Sequence, residues 1–302
     1  MSEGPSGGRR LGYLEAIVAA CLWGSSGIFA VHLFRMGVPP RSVALLRPVV
    51  GVLVLVAVFG VLRPASLRVS YTGLLVLGLG GGVAVGIFQL AYQLSTDAVG
   101  VPATVALLYL APAVVAAAAG PLLGEWPTRT RATLVVVTLV GVCLSVAGAY
   151  DVPAAFGSAG LAWGALAGLS YAAYTLLGRF ASPRYGSVPT VVYSTIGACV
   201  ILTATLLSTE GAIELPATGT AWVLILVFGV TTIALAQFLF FDALARIEAS
   251  RASLATAIEP VVAAVLATVL LDQGLRSVGW LGIVLVVAGV AGVGITGRRA
   301  GL

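Results

Sequence analysis

Glu259 is the side chain most able to do chemistry in this chain of 302 residues. It lies within an uninterrupted apolar run and is followed at once by Pro260. An ionised carboxylate at the centre of a bilayer costs at least about 2.5 kcal/mol, so such a group faces a cavity, a partner or a proton path. Cation binding or proton coupling is one role open to it. The other is a protonated carboxyl bonded to backbone carbonyls, because Pro260 has no N–H and frees acceptors in the turn before it. Gln89 and Gln237 are the next candidates, each in the middle of an apolar run, in a chain with only four glutamines. An amide supplies two donors and an acceptor without a charge, which suits a zwitterionic or amide-bearing solute as well as a hydrogen bond between helices.

Arg47 stands inside a fourth run. It can snorkel to the membrane interface, or pair with an acid or with a solute carboxylate. Trp23, Tyr92, Tyr109, Tyr171, Tyr174 and Phe240 are set well inside their runs rather than at the edges. Buried tyrosine hydroxyls need partners, and a wet cavity or ordinary packing supplies them. Asp242 and Arg246 are four residues apart, the spacing of a helix-surface ion pair. His32, the single histidine, closes the first run. It is read as peripheral, not as a pH sensor.

What must position these residues is a set of membrane helices. Hydrophobic residues make up 60% of the chain and charged residues 9%, with mean hydropathy +1.10. Soluble domains carry about a quarter charged residues. Ten apolar runs can be marked, at 13–33, 43–62, 71–93, 99–119, 130–149, 158–180, 188–208, 219–243, 250–270 and 277–296. Each approaches the roughly 20 residues that span a bilayer as a helix. The first is preceded by Arg9 and Arg10, but it is read as a retained span, not a signal peptide. Cys21, Cys143 and Cys199 lie singly in different runs and read as small buried hydrophobes.

The runs repeat. A shift of 148 residues aligns the two halves without a gap for about seventy positions, laying Thr72 on Thr220, Gly81 on Gly229, Gln89 on Gln237, Pro112 on Pro260 and Gly141 on Gly289. Trp23 and Tyr171 are near-equivalent, whereas Glu259 matches Ala111, so any charge there is one-sided. Duplication inside an apolar chain marks a secondary transporter. With the N-terminus placed in the cytoplasm, twelve arginines fall in inner segments and three in outer loops, the positive-inside bias. Five helices per copy is an odd number, so the second copy enters from the opposite face. The expected fold is all-α integral membrane, ten transmembrane helices as two inverted five-helix repeats. Residues 1–12 are expected to be a disordered cytoplasmic N-terminus, 13–149 the first repeat, 158–296 the second, and 297–302 a cytoplasmic tail.

Several elements together resemble the drug/metabolite transporter superfamily, in particular its EamA-type ten-helix members. They are Trp23-Gly24, Arg47 before an apolar stretch, Pro112 and Glu259-Pro260 in the last-but-one helix of each repeat, and Leu123-Gly124-Glu125. The second copy departs from the last of these with Leu271-Asp272-Gln273. The resemblance runs over roughly residues 13–296. It implies an exporter or exchanger of small metabolites, amino acids and related compounds prominent among them. It also implies a central cavity lined by helices 1, 3, 4, 6, 8 and 9, with Glu259, Pro260, Pro112 and Arg47 as coupling or gating candidates.

The expected partners are a small-molecule solute, the bilayer and protons, with no nucleic acid, no cofactor and no metal, in a monomer or weak homodimer of the inner or plasma membrane. No glycine-rich loop follows a strand and the chain has no lysine, so a P-loop is excluded. The five glycines between Gly78 and Gly86 read instead as helix-contact positions. A sensor or assembly subunit on the same fold is the alternative. An intramembrane enzyme is disfavoured, since one histidine and no Ser-Lys pair leave little to build a reactive centre from.

Overall fold

The computed structural model describes residues 5–124, 129–148 and 154–299. Fourteen α-helical stretches occur among them: α1 (Pro5–Gly24), α2 (Ser26–Arg35), α3 (Pro40–Leu62), α4 (Tyr71–Leu75), α5 (Gly82–Leu108), α6 (Ala111–Leu123), α7 (Arg129–Ala147), α8 (Ala154–Tyr185), α9 (Ser187–Glu210), α10 (Gly219–Gly229), α11 (Ala236–Arg246), α12 (Ala249–Ala255), α13 (Glu259–Leu271) and α14 (Ser277–Arg299). Short π and 3-10 stretches join several of them into ten membrane-length rods. Rod 1 is α1–α2, rod 2 is α3, and rod 3 runs from α4 through a π segment at Val76–Gly81 into α5. Rod 4 is the end of α5 with α6, and rod 5 is α7. Rods 6 and 7 are α8 and α9. Rod 8 is α10, a π segment at Val230–Leu235, and α11; rod 9 is α12, a 3-10 turn at Thr256–Ile258, and α13; rod 10 is α14. Six continuous helices are long and apolar enough to cross a membrane, from Pro40–Leu62 with 23 residues to Tyr71–Val115 with 45.

The 45-residue stretch is really two rods. Gly100 has φ 80° and ψ 170°, a conformation open to glycine and costly for any side chain. The chain folds back there. Ser95 and Thr104 hydrogen-bond at 2.8 Å, although nine residues along a straight helix would separate them by about 13 Å. Pro102, just past the turn, has no N–H to satisfy, and the N–H of Val101, left free by the turn, donates to Gln273 Oε1 at 3.0 Å.

The two copies exchange their contacts. Rod 1 of the first copy packs on rods 8 and 9 of the second, and rod 6 packs on rods 3 and 4. Rods 5 and 10 show the symmetry most sharply. A Cβ on Gly141 would stand 2.7 Å from both the Gly282 carbonyl oxygen and the Val286 nitrogen. One on Gly289 would stand 2.8 Å from the Leu134 oxygen and 3.0 Å from the Thr138 nitrogen. Leu134 and Thr138 are the 148-residue counterparts of Gly282 and Val286. Residue i touching j′ while i′ touches j is the mark of a two-fold relation. The repeats are therefore inverted about a pseudo-dyad running between α7 and α14.

Three expectations need correction. Residues 5–12 are helical, not disordered, and the last helix continues to Arg299, past the expected tail boundary at 297. Cys21 and Cys143 are exposed, not buried. The surface of a membrane protein faces lipid, so a small thiol gains nothing by leaving it. Glu125 and residues 149–153 lie outside the described residues. The glycines of rod 3 do serve close approach, since a Cβ on Gly82 would stand 2.9 Å from the Gly197 Cα of α9.

Candidate functional site

The broken helices meet at the centre. Rod 4 breaks at Tyr109–Leu110 and rod 9 at Thr256–Ile258, counterpart positions, and Pro112 and Pro260 each open the helix that follows. A proline in the first turn of a helix needs no N–H, so the break is local and the helix restarts at once. The freed backbone at Thr256 is used: its carbonyl accepts a hydrogen bond from the Tyr109 hydroxyl, and its Oγ1 lies 3.4 Å from the Tyr171 hydroxyl, which donates to it. In rod 8, the Thr232 carbonyl within the π segment accepts from the Trp23 indole Nε1 at 2.9 Å. Helix irregularities of this kind often mark functional sites.

Around this point the aromatic side chains form one cluster. Trp23 and Tyr171 meet edge to face at 6.0 Å. They are repeat counterparts, so a residue touching its own twin places both at the pseudo-dyad. Trp23 also contacts Phe240 at 5.1 Å, Tyr171 stacks on Tyr174 at 5.0 Å, and Phe88 leans on Tyr174 at 5.4 Å. Tyr92 and Phe240 are a second counterpart pair.

Trp23, Ser26, Arg47, Phe88, Tyr92, Leu108, Tyr171, Tyr174 and Glu259 enclose a central cavity of about 10 Å³. That is the room of a single water, so the site is closed in this conformation. Arg47 is 2% exposed. It therefore does not snorkel, and its guanidinium carbon lies 4.7 Å above the Phe228 ring and 6.0 Å from the Tyr92 ring. Its Nε and Nη1 have no hydrogen-bond partner among the described residues, nor do Glu259 Oε2 and the Tyr92 hydroxyl. Arg47 and Glu259 thus share a wall with no ion pair between them among the described residues. Buried polar groups are satisfied in the great majority of cases. Several together, one of them a cation, point to a polar ligand at this place.

Of the residues expected from sequence to form a cavity, Trp23, Tyr92, Tyr171 and Tyr174 are on its wall, as are Arg47 and Glu259. Four are not. Tyr109 is turned to the Thr256 carbonyl, and Phe240 supports Trp23 from behind. Gln89 is 1% and Gln237 4% exposed, and neither borders the cavity. Both amide atoms of Gln89, and Nε2 of Gln237, are unpaired among the described residues. Gln93 was missed by the sequence reading; it is wholly buried one turn after Gln89 and equally unpaired. Ser26, Phe88 and Leu108 were missed as well. The four-residue spacing of Phe88 and Tyr92, which puts both on one helix face, was the signal for the first of these. Asp242 and Arg246 form the expected pair at 2.6 Å, which Glu15 of rod 1 joins at 3.2 Å. His32 is exposed and, among the described residues, bonds its own helix, at the Ile28 carbonyl.

A ten-helix membrane bundle of inverted repeats with a closed polar centre is the architecture of a secondary transporter. The EamA-like transporter family model matches residues 10–147 and again 158–295, and the chain belongs to that family. A protein of Salmonella typhimurium described as an uncharacterized inner membrane transporter, YicL, is 25% identical over 308 residues, covering 97% of this chain and 98% of its own. Another protein's crystal structure superposes with a TM-score of 0.75 at 18% identity, covering 96% of this chain and 98% of its own. That likeness supports the fold.

Proposed function

We propose that the protein moves small zwitterionic or amphipathic metabolites, amino acids and related compounds among them, outward across the inner membrane by alternating access. One observation carries this reading: a buried guanidinium and a buried carboxyl, unpaired with each other, on the wall of one aromatic-lined cavity at the pseudo-dyad. Arg47 is the partner for a solute carboxylate, which it can grip with two parallel N–H donors. The faces of Trp23, Tyr92 and Tyr174 suit an ammonium group or an apolar side chain. Glu259 is the group that would exchange a proton, or a solute cation, as the site opens to each side. The two inverted copies give two conformations of nearly equal energy, one open to each face. Both termini are placed in the cytoplasm on the arginine bias, and the working unit is a monomer or weak homodimer.

The proton role of Glu259 has a direct test. A thermal-shift screen of the purified protein against the amino acids and their derivatives supplies the solute. Wild-type protein in liposomes should then accumulate that solute under an imposed pH gradient. Glu259→Gln should abolish the gradient-driven part while keeping solute counterflow within a few-fold of wild type. A Glu259→Gln variant that still concentrates solute on the pH gradient removes the carboxyl from the coupling step.

A further inference from the structure

A second cavity, of about 410 Å³, opens at the end of the bundle where α1 begins, between the ends of α3, α8 and α11 and the start of α9. It is separate from the central site and shares no wall residue with it. Three arginines line it, Arg63, Arg68 and Arg246, against one acid, Asp242. Arg246 is already engaged, donating to Asp242 at 2.6 Å and lying 3.2 Å from Glu15. Arg63 and Arg68 are exposed, and neither has an acidic partner among the described residues. The wall is therefore net positive, and its uncommitted charge is two guanidinium groups.

The backbone that carries these two arginines is tied from outside. They flank the 3-10 turn Pro64–Leu67, and the Tyr193 hydroxyl of α9 donates to the Leu67 carbonyl at 2.8 Å, tying that turn across the recess. The counterpart segment of the second repeat has Gly211 where Arg63 stands and Pro216 where Arg68 stands, with Glu210 and Glu214 nearby. That segment forms no 3-10 turn and carries no arginine, so both the turn and its two arginines belong to the first copy. A positive-inside bias explains the sign of the charge at this end. It does not explain a recess large enough for a small ion with, at its rim, two exposed guanidiniums that have no acidic partner among the described residues.

We propose that this vestibule binds a phosphate-bearing anion, gripped by Arg63 and Arg68. Planar guanidinium forks match phosphate oxygens two at a time, and basic recesses between membrane helices are suited to phosphorylated head groups. The phosphate comes either from an anionic lipid head group or from a soluble phosphate ester. The site goes beyond the transport reading and does not depend on it.

Two measurements on the full chain, each on wild type and on Arg63→Ala/Arg68→Ala, test the proposal. The first is calorimetric titration of detergent-solubilised protein with inorganic phosphate in chloride buffer. The second is the amount of phosphatidylglycerol retained after reconstitution into phosphatidylcholine discs containing that lipid, read by mass spectrometry. Retained lipid with no phosphate binding assigns a head group; phosphate binding without retained lipid assigns a soluble ester. In either case the double alanine variant should bind at least ten-fold less and the Arg63→Lys/Arg68→Lys variant should recover part of the loss. Arg47→Met should bind as wild type, which keeps this outcome separate from the central site. If the alanine variant is not monodisperse, Arg63→Gln/Arg68→Gln gives the same readout at these exposed positions. Wild-type binding of neither ligand, or binding equal in wild type and the neutralised variant, overturns the proposal.

Discussion

Arg47→Met should leave a protein at least as stable as wild type that no longer transports. The guanidinium is 2% exposed and two of its nitrogens are unpaired, so it is a cost to the closed fold. Replacing even a whole buried ion pair by apolar groups is often neutral or stabilising by about 1–4 kcal/mol, and Arg47 has no ion pair among the described residues to lose. Met fills the space beside the Phe228 and Tyr92 rings, and thioether–aromatic contacts are favourable. Transport should fall steeply, because losing one partner of a buried charge contact costs about 2–5 kcal/mol. That corresponds to an affinity loss from about thirty-fold to a few thousand-fold. Thermal unfolding in detergent and solute uptake in liposomes check the two halves. A variant that transports normally removes Arg47 from solute binding. A variant that fails to fold shows that the charge holds the bundle together.

Gly141→Leu and Gly289→Leu should each disrupt the bundle, and to a similar extent. Each glycine lets α7 and α14 approach until backbone meets backbone; the Thr138 hydroxyl beside Gly289 can turn away, but the carbonyl and amide atoms at 2.7–3.0 Å cannot. Overpacking of a core costs about 1–3 kcal/mol when side chains can adjust, and more is expected here. Loss of monodisperse protein on gel filtration, or a large drop in unfolding temperature, is the readout. Similar losses in both variants follow from the pseudo-dyad. A large loss in one and none in the other contradicts it.

The repeat made most of this fold legible. Gln89 on Gln237 and Pro112 on Pro260 are scarce residue types whose coincidence is informative in so apolar a chain, and Gly141 on Gly289 sits on the seam between the copies. Helix count followed from run length, because a bilayer fixes how long a span must be. Side-chain direction was harder to read. Gln89 and Tyr92 are three residues apart, yet only Tyr92 borders the cavity, since every face of a buried helix is apolar and no amphipathic stripe says which way is in. Arg47 looked able to reach the interface because a long stem can snorkel. Its burial depends on neighbours from α5 and α10, which are distant in sequence. The cysteines misled for a related reason: burial rules learned in water do not hold where the outside is hydrocarbon. The irregular segment at Val76–Gly81 left no distinctive mark, since Val, Leu and Gly serve π and α geometry alike, and at Val230–Leu235 the one hint was Thr231-Thr232, whose hydroxyls bond back to the Val227 and Phe228 carbonyls.

Ser26 gives the most direct access to the central claim, because it is a small residue on the wall of the closed cavity and 3% exposed. The measurement is labelling of Ser26→Cys, in a background with Cys21, Cys143 and Cys199 replaced by serine, by a membrane-impermeant thiol reagent applied from either side of sealed vesicles. Alternating access through one central site predicts slow labelling from both sides, suppressed from both by the solute found in the screen. Labelling from one side only, or labelling that the solute does not slow, would contradict the account.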